Sequence, residues 1–249
     1  MLSLSLASGA QAALKTQWID YQDGKTQLSG YLVYDDAKTG IRPGVLVVHE
    51  WMGLNDYAKM RTEQLAKEGY VAFAADMYGK GIVAKDHQQA GELSGAFRGD
   101  RAAMRRRAMA GLATLRRQPQ ADVKRLAAIG YCFGGMTVLE LARAGADVKA
   151  VVSFHGGLNS PAPAPKNIKP KILVLHGALD PHVPIDEVTG FENEMQKSNA
   201  DWQLIKYGGA AHGFTNPANQ GDVSKGVAYN ASADARSWKA MQDLFAEVF

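Results

Sequence analysis

Four residues of this chain combine reactive side chains with positions where bond-making needs them: Glu50, Cys132, Asp180 and His212. Cys132 lies in Ile129-Gly130-Tyr131-Cys132-Phe133-Gly134-Gly135, after the apolar run Leu126 to Ile129 and before a helix-forming run from Met136 to Ala144. A nucleophile on such a strand-to-helix turn is held in a strained backbone conformation. Its neighbours must be glycine, because larger side chains would collide with the adjoining strand and helix. The start of a helix also favours the thiolate, the form that attacks. Cys132 is the only cysteine in the chain, so no internal disulfide competes for it. The bland alternative is a buried, inert thiol, the ordinary fate of a lone cysteine.

His212 sits in Gly208-Gly209-Ala210-Ala211-His212-Gly213-Phe214, just after the last expected strand. A glycine-rich loop there can carry the imidazole to the thiol, where it takes a proton and later returns it to a leaving oxygen. Asp180, in His176-Gly177-Ala178-Leu179-Asp180-Pro181, follows the preceding strand and can fix the imidazole tautomer. Asp-Pro and His-Gly are also common loop pairs, so each alone says little. What carries weight is the order nucleophile, acid, histidine, each after its own strand. Glu50 directly follows Val45-Leu46-Val47-Val48-His49. It either hydrogen-bonds the resting thiol and affects its ionisation, or merely solvates a loop. The backbone N–H groups of Trp51 and Phe133 are the expected oxyanion donors. His49, His155 and His176 also end apolar strands, but their spacings match no compact zinc motif. Packing is the expected role for all three, and no metal is expected.

The elements that must position these groups read as a hairpin followed by alternating strands and helices. Thr16 to Tyr21 and Leu28 to Tyr34 are joined by a turn at Asp23-Gly24. Buried strands are expected at 44–49, 70–75, 126–130, 150–154 and 171–176, and a last strand at 201–207. Helices are expected at 56–68, stopped by Gly69, at 136–144, 185–198 and 228–249. Two more helices between Ala84 and Leu115 should be interrupted around Gly95 to Asp100. Pro161 to Pro170 is a proline-rich surface loop. This alternation predicts an α/β fold with a mostly parallel eight-stranded sheet and helices on both faces, in one domain over 14–249.

Composition narrows the function classes. With 46% hydrophobic and 21% charged residues among 249, this is an ordinary globular chain. The net charge of +3 is small and no basic patch is interleaved with aromatics, so nucleic acid is not an expected partner. Arginines from Arg101 to Arg107 read as the solvated face of a helix. No segment is apolar and long enough to span a membrane, so no membrane partner is expected. Leu2, Leu4 and Leu6 lead to Ala10-Gln11-Ala12, a cleavage-like pattern. Residues 1–13 are therefore expected to be a signal-peptide remnant and the protein to be periplasmic; a disordered cytosolic tail is the alternative.

His49-Glu50-Trp51-Met52-Gly53-Leu54-Asn55, Asp76-Met77-Tyr78, the cysteine turn, His176-Gly177-Ala178-Leu179-Asp180 and Ala211-His212-Gly213-Phe214 together resemble the dienelactone hydrolases. The resemblance runs from about Leu28 to the C-terminus. It implies an α/β-hydrolase fold and a monomeric, cofactor-free enzyme acting on a small-molecule ester or lactone. Such an enzyme opens an enol-lactone to a dicarboxylic acid through Cys132, His212 and Asp180. It further implies that Glu50 interacts with the thiol and helps generate the thiolate when substrate arrives. The family holds the substrate carboxylate with two arginines; here Lys80 and Asn216 stand at those substrate-binding positions. Lysine lacks the bidentate fork and asparagine lacks the charge. The expected substrate is accordingly a less anionic ester or lactone. A general short-chain carboxylesterase or thioesterase is the alternative. A non-catalytic binding or redox-sensing protein is a third reading, weakened by the absence of a resolving thiol.

Overall fold

The computed structural model describes residues 14–162 and 165–249. The expected signal-peptide remnant over 1–13 lies outside the described residues. β1 (Leu14–Asp23) and β2 (Thr26–Asp35) form the hairpin, with Gly24 at φ +59° in its two-residue turn. A positive φ at that position matches the twist of the two strands. The remaining strands are β3 (Arg42–Val48), β4 (Val71–Ala75), β5 (Ala121–Tyr131), β6 (Ala150–Phe154), β7 (Lys171–Gly177) and β8 (Trp202–Tyr207). They form one sheet in the order β1-β2-β4-β3-β5-β6-β7-β8. β1 and β2 run antiparallel to their neighbours and all other pairs are parallel.

Side-chain alternation divides the core into two apolar layers. Val45 and Val47 of β3 face α1 (Asp56–Glu68) and α6 (Ala231–Val248), packing with Leu65, Trp238, Met241 and Phe245. Leu46 and Val48 face the opposite layer, with α3 (Arg101–Arg116), α4 (Phe133–Arg143) and α5 (Ile185–Lys197). Strands buried on both sides are continuous apolar runs for this reason.

Several boundaries differ from the sequence reading: β5 begins at Ala121 and not at Leu126, and three helix boundaries move for local reasons. α4 begins at Phe133, not Met136, because glycines let it start pressed against the sheet: a Cβ on Gly134 would lie 2.1 Å from the carbonyl oxygen of Val48. α2 (His87–Gly99) runs through Gly95, and the interruption is Asp100 alone. The Asp100 N–H closes α2 on Ala96 O, while its carboxylate caps α3 by accepting from Ala103 N–H. α6 starts at Ala231, after Asn230 accepts from Ala233 N–H, not at Ala228.

Candidate active site

The parallel strands deliver the reactive residues to one edge, beyond their carboxyl ends. Cys132 follows β5 at φ +53° and ψ −112°, a region an L-residue enters only under constraint. Its N–H donates to Phe154 O at 3.0 Å and its carbonyl accepts from Met136 N–H at 3.2 Å. The turn can close because Gly130 and Gly134 touch: a Cβ on Gly130 would lie 2.1 Å from Gly134 O. The thiol is half-buried.

His212 Nε2 is 3.1 Å from Cys132 Sγ, and His212 Nδ1 is 2.8 Å from Asp180 Oδ2. The second oxygen, Asp180 Oδ1, accepts from His182 N–H at 2.8 Å. With a carboxylate on Nδ1, that nitrogen carries a proton and Nε2 is the one presented to sulfur. Burial opposes a charge on His212, yet a charged Cys132 sulfur and Asp180 outweigh it, raising its pKa to about 10. Burial likewise works against ionised Asp180, but the His212 bond and charge hold its pKa below the usual value.

Glu50 follows β3 and is buried, with Oε2 accepting from Asn216 Nδ2 at 2.7 Å. Burial raises its pKa, against the opposing effects of the Asn216 bond and of His212 and Arg61. The amide N–H groups of Trp51 and Phe133 find no acceptor among the described residues, the state required of groups meant for a developing oxyanion. Around them stands an aromatic wall. Tyr78 OH donates to Trp51 O at 2.7 Å, and Trp51 stacks on His87 of α2 at 5.2 Å. Phe133 packs against Tyr78 at 5.8 Å and Phe97 at 6.0 Å. Asp76 holds Tyr78 in place by accepting from the N–H groups of Tyr78, Gly79 and Ser29.

The other sequence candidates fall elsewhere. Lys80 is exposed and its ammonium pairs with Asp20 of β1 at 2.5 Å. Asn216 reaches Glu50, and carries no charge of its own where the family's second arginine is expected. His49 donates from Nδ1 to Glu50 O at 2.5 Å and accepts from Met77 N–H at Nε2. His155 and His176 are buried, and His155 Nε2 is 2.7 Å from Thr215 Oγ1. Among the described residues no group of histidine, cysteine and carboxylate side chains is arranged to hold a metal. A groove of about 540 Å³ between α5 and the segment after β6, lined by Leu158, Glu187, Phe191 and Glu194, includes none of the reactive residues.

Sequence reasoning missed the support behind His212. Thr215 Oγ1 also lies 2.6 Å from Tyr57 OH, and Arg61 Nη2 donates to Thr215 O at 2.5 Å and to Asp234 Oδ1 at 2.6 Å. The available signal was an arginine on the apolar face of α1, one turn after Tyr57. The imidazole of His182, 5.0 Å from that of His212, was missed as well.

The sequence model of the Dienelactone hydrolase family matches residues 28–249. The solved structure named m3DLH is 46% identical, has a TM-score of 0.92, and covers 95% of this chain and 99% of its own. A structure described as a dienelactone hydrolase-like promiscuous phosphotriesterase, P91, from metagenomic libraries is 44% identical with a TM-score of 0.90, again covering 95% and 99%. A protein of Synechocystis sp. that bears the provisional name carboxymethylenebutenolidase is 28% identical over 93% of this chain and 96% of its own.

Proposed function

Because the chain belongs to the dienelactone hydrolase family, we propose that it hydrolyses carboxylic esters or enol-lactones with Cys132 as nucleophile. The observation that carries this reading is the unbroken line from Cys132 Sγ to His212 Nε2 at 3.1 Å and from His212 Nδ1 to Asp180 Oδ2 at 2.8 Å. The Cys132 thiol proton passes to His212 Nε2, the sulfur lone pair attacks the acyl carbon, and the carbonyl electron pair moves onto oxygen, where the Trp51 and Phe133 N–H groups receive it. Each such donor is worth roughly 10²–10³ in rate. The intermediate collapses, the C–O bond breaks, and the leaving oxygen takes the His212 Nε2 proton. Water then attacks the thioester, His212 Nε2 taking its proton; the C–S bond breaks, the sulfur leaves and regains that proton from His212, and the carboxylic acid is released.

The substrate is a less anionic ester or lactone, because Lys80 is paired with Asp20 and Asn216 carries no charge. The test is hydrolysis of p-nitrophenyl acetate, cis- and trans-dienelactone and a neutral phosphotriester by the protein and by Cys132→Ala. The phosphotriester belongs in the panel because of what the 44% identical relative is described as doing. Loss of all turnover in the variant and a higher kcat/KM for the neutral ester are expected. A strong preference for dienelactone overturns the substrate reading, and unchanged turnover in Cys132→Ala overturns the nucleophile.

A further inference from the structure

The sequence gives His49 no role beyond packing, yet its ring makes two hydrogen bonds. Its Nε2 accepts from Met77 N–H at 3.3 Å, so the proton of the neutral ring sits on Nδ1, which donates to Glu50 O at 2.5 Å. Gly53 N–H donates to the same carbonyl at 3.2 Å. The Glu50 carbonyl and the Trp51 N–H belong to one peptide unit. In a planar trans peptide these two groups point in opposite directions, so fixing the oxygen aims the N–H. Hydrogen bonds to the oxygen also polarise the unit and strengthen its N–H as a donor. That N–H has no acceptor among the described residues.

The imidazole is itself held from three strands. His49 directly follows β3, whose last residue, Val48, lies level with Ala75 of β4 and Gly130 of β5. Met77, two residues beyond β4, supplies the N–H on Nε2. Phe133, after β5, stacks on the ring at 6.0 Å and carries the other unused N–H. Tyr78 packs edge-on at 4.9 Å, and its hydroxyl donates to Trp51 O at 2.7 Å, holding the next peptide along. His49 is 1% exposed. Burial lowers its pKa against the opposing effects of the Glu50 carbonyl bond and of Asp76, which keeps the ring neutral. A charged ring would carry a proton on Nε2 and push against Met77 N–H. Space alone could be filled by an apolar side chain with no polar atoms to satisfy.

We propose that His49 is a positioning residue of the oxyanion site, gripping the Glu50 carbonyl so that the Trp51 N–H is aimed at the oxygen that becomes charged. This rests on the reading of Cys132 as an acyl-transfer nucleophile and adds a residue to it. His49 touches no reacting atom. Preorganised donors need no rearrangement during the reaction, and both formation and hydrolysis of the thioester pass through an oxyanion. Loosening the peptide therefore slows both steps and leaves substrate binding nearly as it was.

The test compares His49→Leu and His49→Asn with the native protein, on p-nitrophenyl acetate and on iodoacetamide. Leucine fills the space with no donor. Asparagine can present its Nδ2 where Nδ1 stood, one residue before the same carbonyl. His49→Leu should lower kcat by about tenfold to a hundredfold, less than loss of a whole donor, with KM within about threefold. His49→Asn should recover kcat to within about threefold of native. Alkylation of Cys132 by iodoacetamide displaces iodide at a saturated carbon and forms no oxyanion, so its rate should stay within about twofold in both variants. Nitrogen-15 shifts of the His49 ring in the native protein should show Nδ1 protonated and Nε2 as acceptor, unchanged from pH 6 to 9. Native kcat in His49→Leu, alkylation falling in step with kcat, His49→Asn no better than His49→Leu, or a proton on Nε2 each overturns the proposal. Should His49→Leu fail to fold, His49→Phe takes its place. Absence of ester turnover in the native protein, or full turnover in Cys132→Ala, overturns the hydrolase reading instead, while the ring tautomer and the alkylation rates report on His49 alone.

Discussion

The hydroxyls of Tyr57 and Thr215 lie 2.6 Å apart, tying α1 to the loop that carries His212. Thr215 Oγ1 also meets His155 Nε2 at 2.7 Å, and the Thr215 carbonyl accepts a hydrogen bond from Arg61 Nη2. The loop is also pinned through its backbone, His212 N–H donating to Gly226 O at 3.0 Å and Ala228 N–H to His212 O at 3.2 Å, and the buried side-chain bonds add to that hold.

Thr215→Val preserves the shape and removes the hydroxyl, leaving Tyr57 and His155 short of a partner. Stability should fall by about 1–3 kcal/mol, measured as the denaturant midpoint at constant m. Because His155 packs edge-to-face on His212 at 5.4 Å, kcat for ester hydrolysis should fall as well, with KM less affected. A variant as stable as the native protein contradicts the anchoring role.

Asp180→Asn keeps the size of the side chain and removes the charge that holds His212. A drop in kcat of about 10²–10⁴ is expected, from the wrong tautomer facing sulfur. The stability effect has a definite pH sense. His212 has a pKa in the fold of about 10, above its ordinary 6.5. The stabilisation from its charged form is therefore fully present below about pH 6.5 and is lost as pH rises through about 10. The Tm gap between native protein and Asp180→Asn should be widest at pH 5.5–6.5 and narrow towards pH 10.

Glu50 gives the opposite slope for a carboxyl group. Burial raises its pKa above 4.5, so the folded state holds its proton more tightly and loses stability as pH rises through the raised value. Glu50→Gln should leave Tm unchanged below about pH 4.5 and raise it at pH 7. A melting series from pH 4 to 8 decides it; a lower Tm at pH 7 runs against the sign.

Glycines in this chain divide sharply by surroundings. A Cβ on Gly134 would overlap Val48 O, so Gly134→Ala should yield insoluble or unfolded protein. Gly95 on α2 has open space around it, and Gly95→Ala should stabilise by about 0.5–1 kcal/mol. Soluble yield and chemical denaturation of the two variants test the pair together.

Much of this was legible in the sequence because it depends on local pattern. Apolar runs such as Val45 to Val48 have no alternation because both faces are covered, and Gly69 ends α1 at φ +105°. Cys132, Asp180 and His212 could be placed at the ends of strands, now β5, β7 and β8, from the apolar runs before them. What the sequence concealed depends on side chains distant in the chain. Lys80 could stand at a substrate-binding position by spacing, but the facing strand β1 supplies Asp20 to take its charge. Asn216 could be matched by position, but its partner Glu50 lies 166 residues away. The helix α4 started early because Gly134 and Gly135 pack on the sheet, a contact that glycine's low helix propensity hides.

α2 buries little beyond Ala90 and Ser94, carries three glycines with nothing near their missing Cβ atoms, and yet supplies Phe97 and His87 to the wall of the site. The thiol, in contrast, rests on glycines packed to contact. Chemistry and substrate choice are thereby lodged in parts of very different rigidity. A directed-evolution library confined to residues 87–99 can reshape which acyl group is admitted while the turn that holds the sulfur stays as it is.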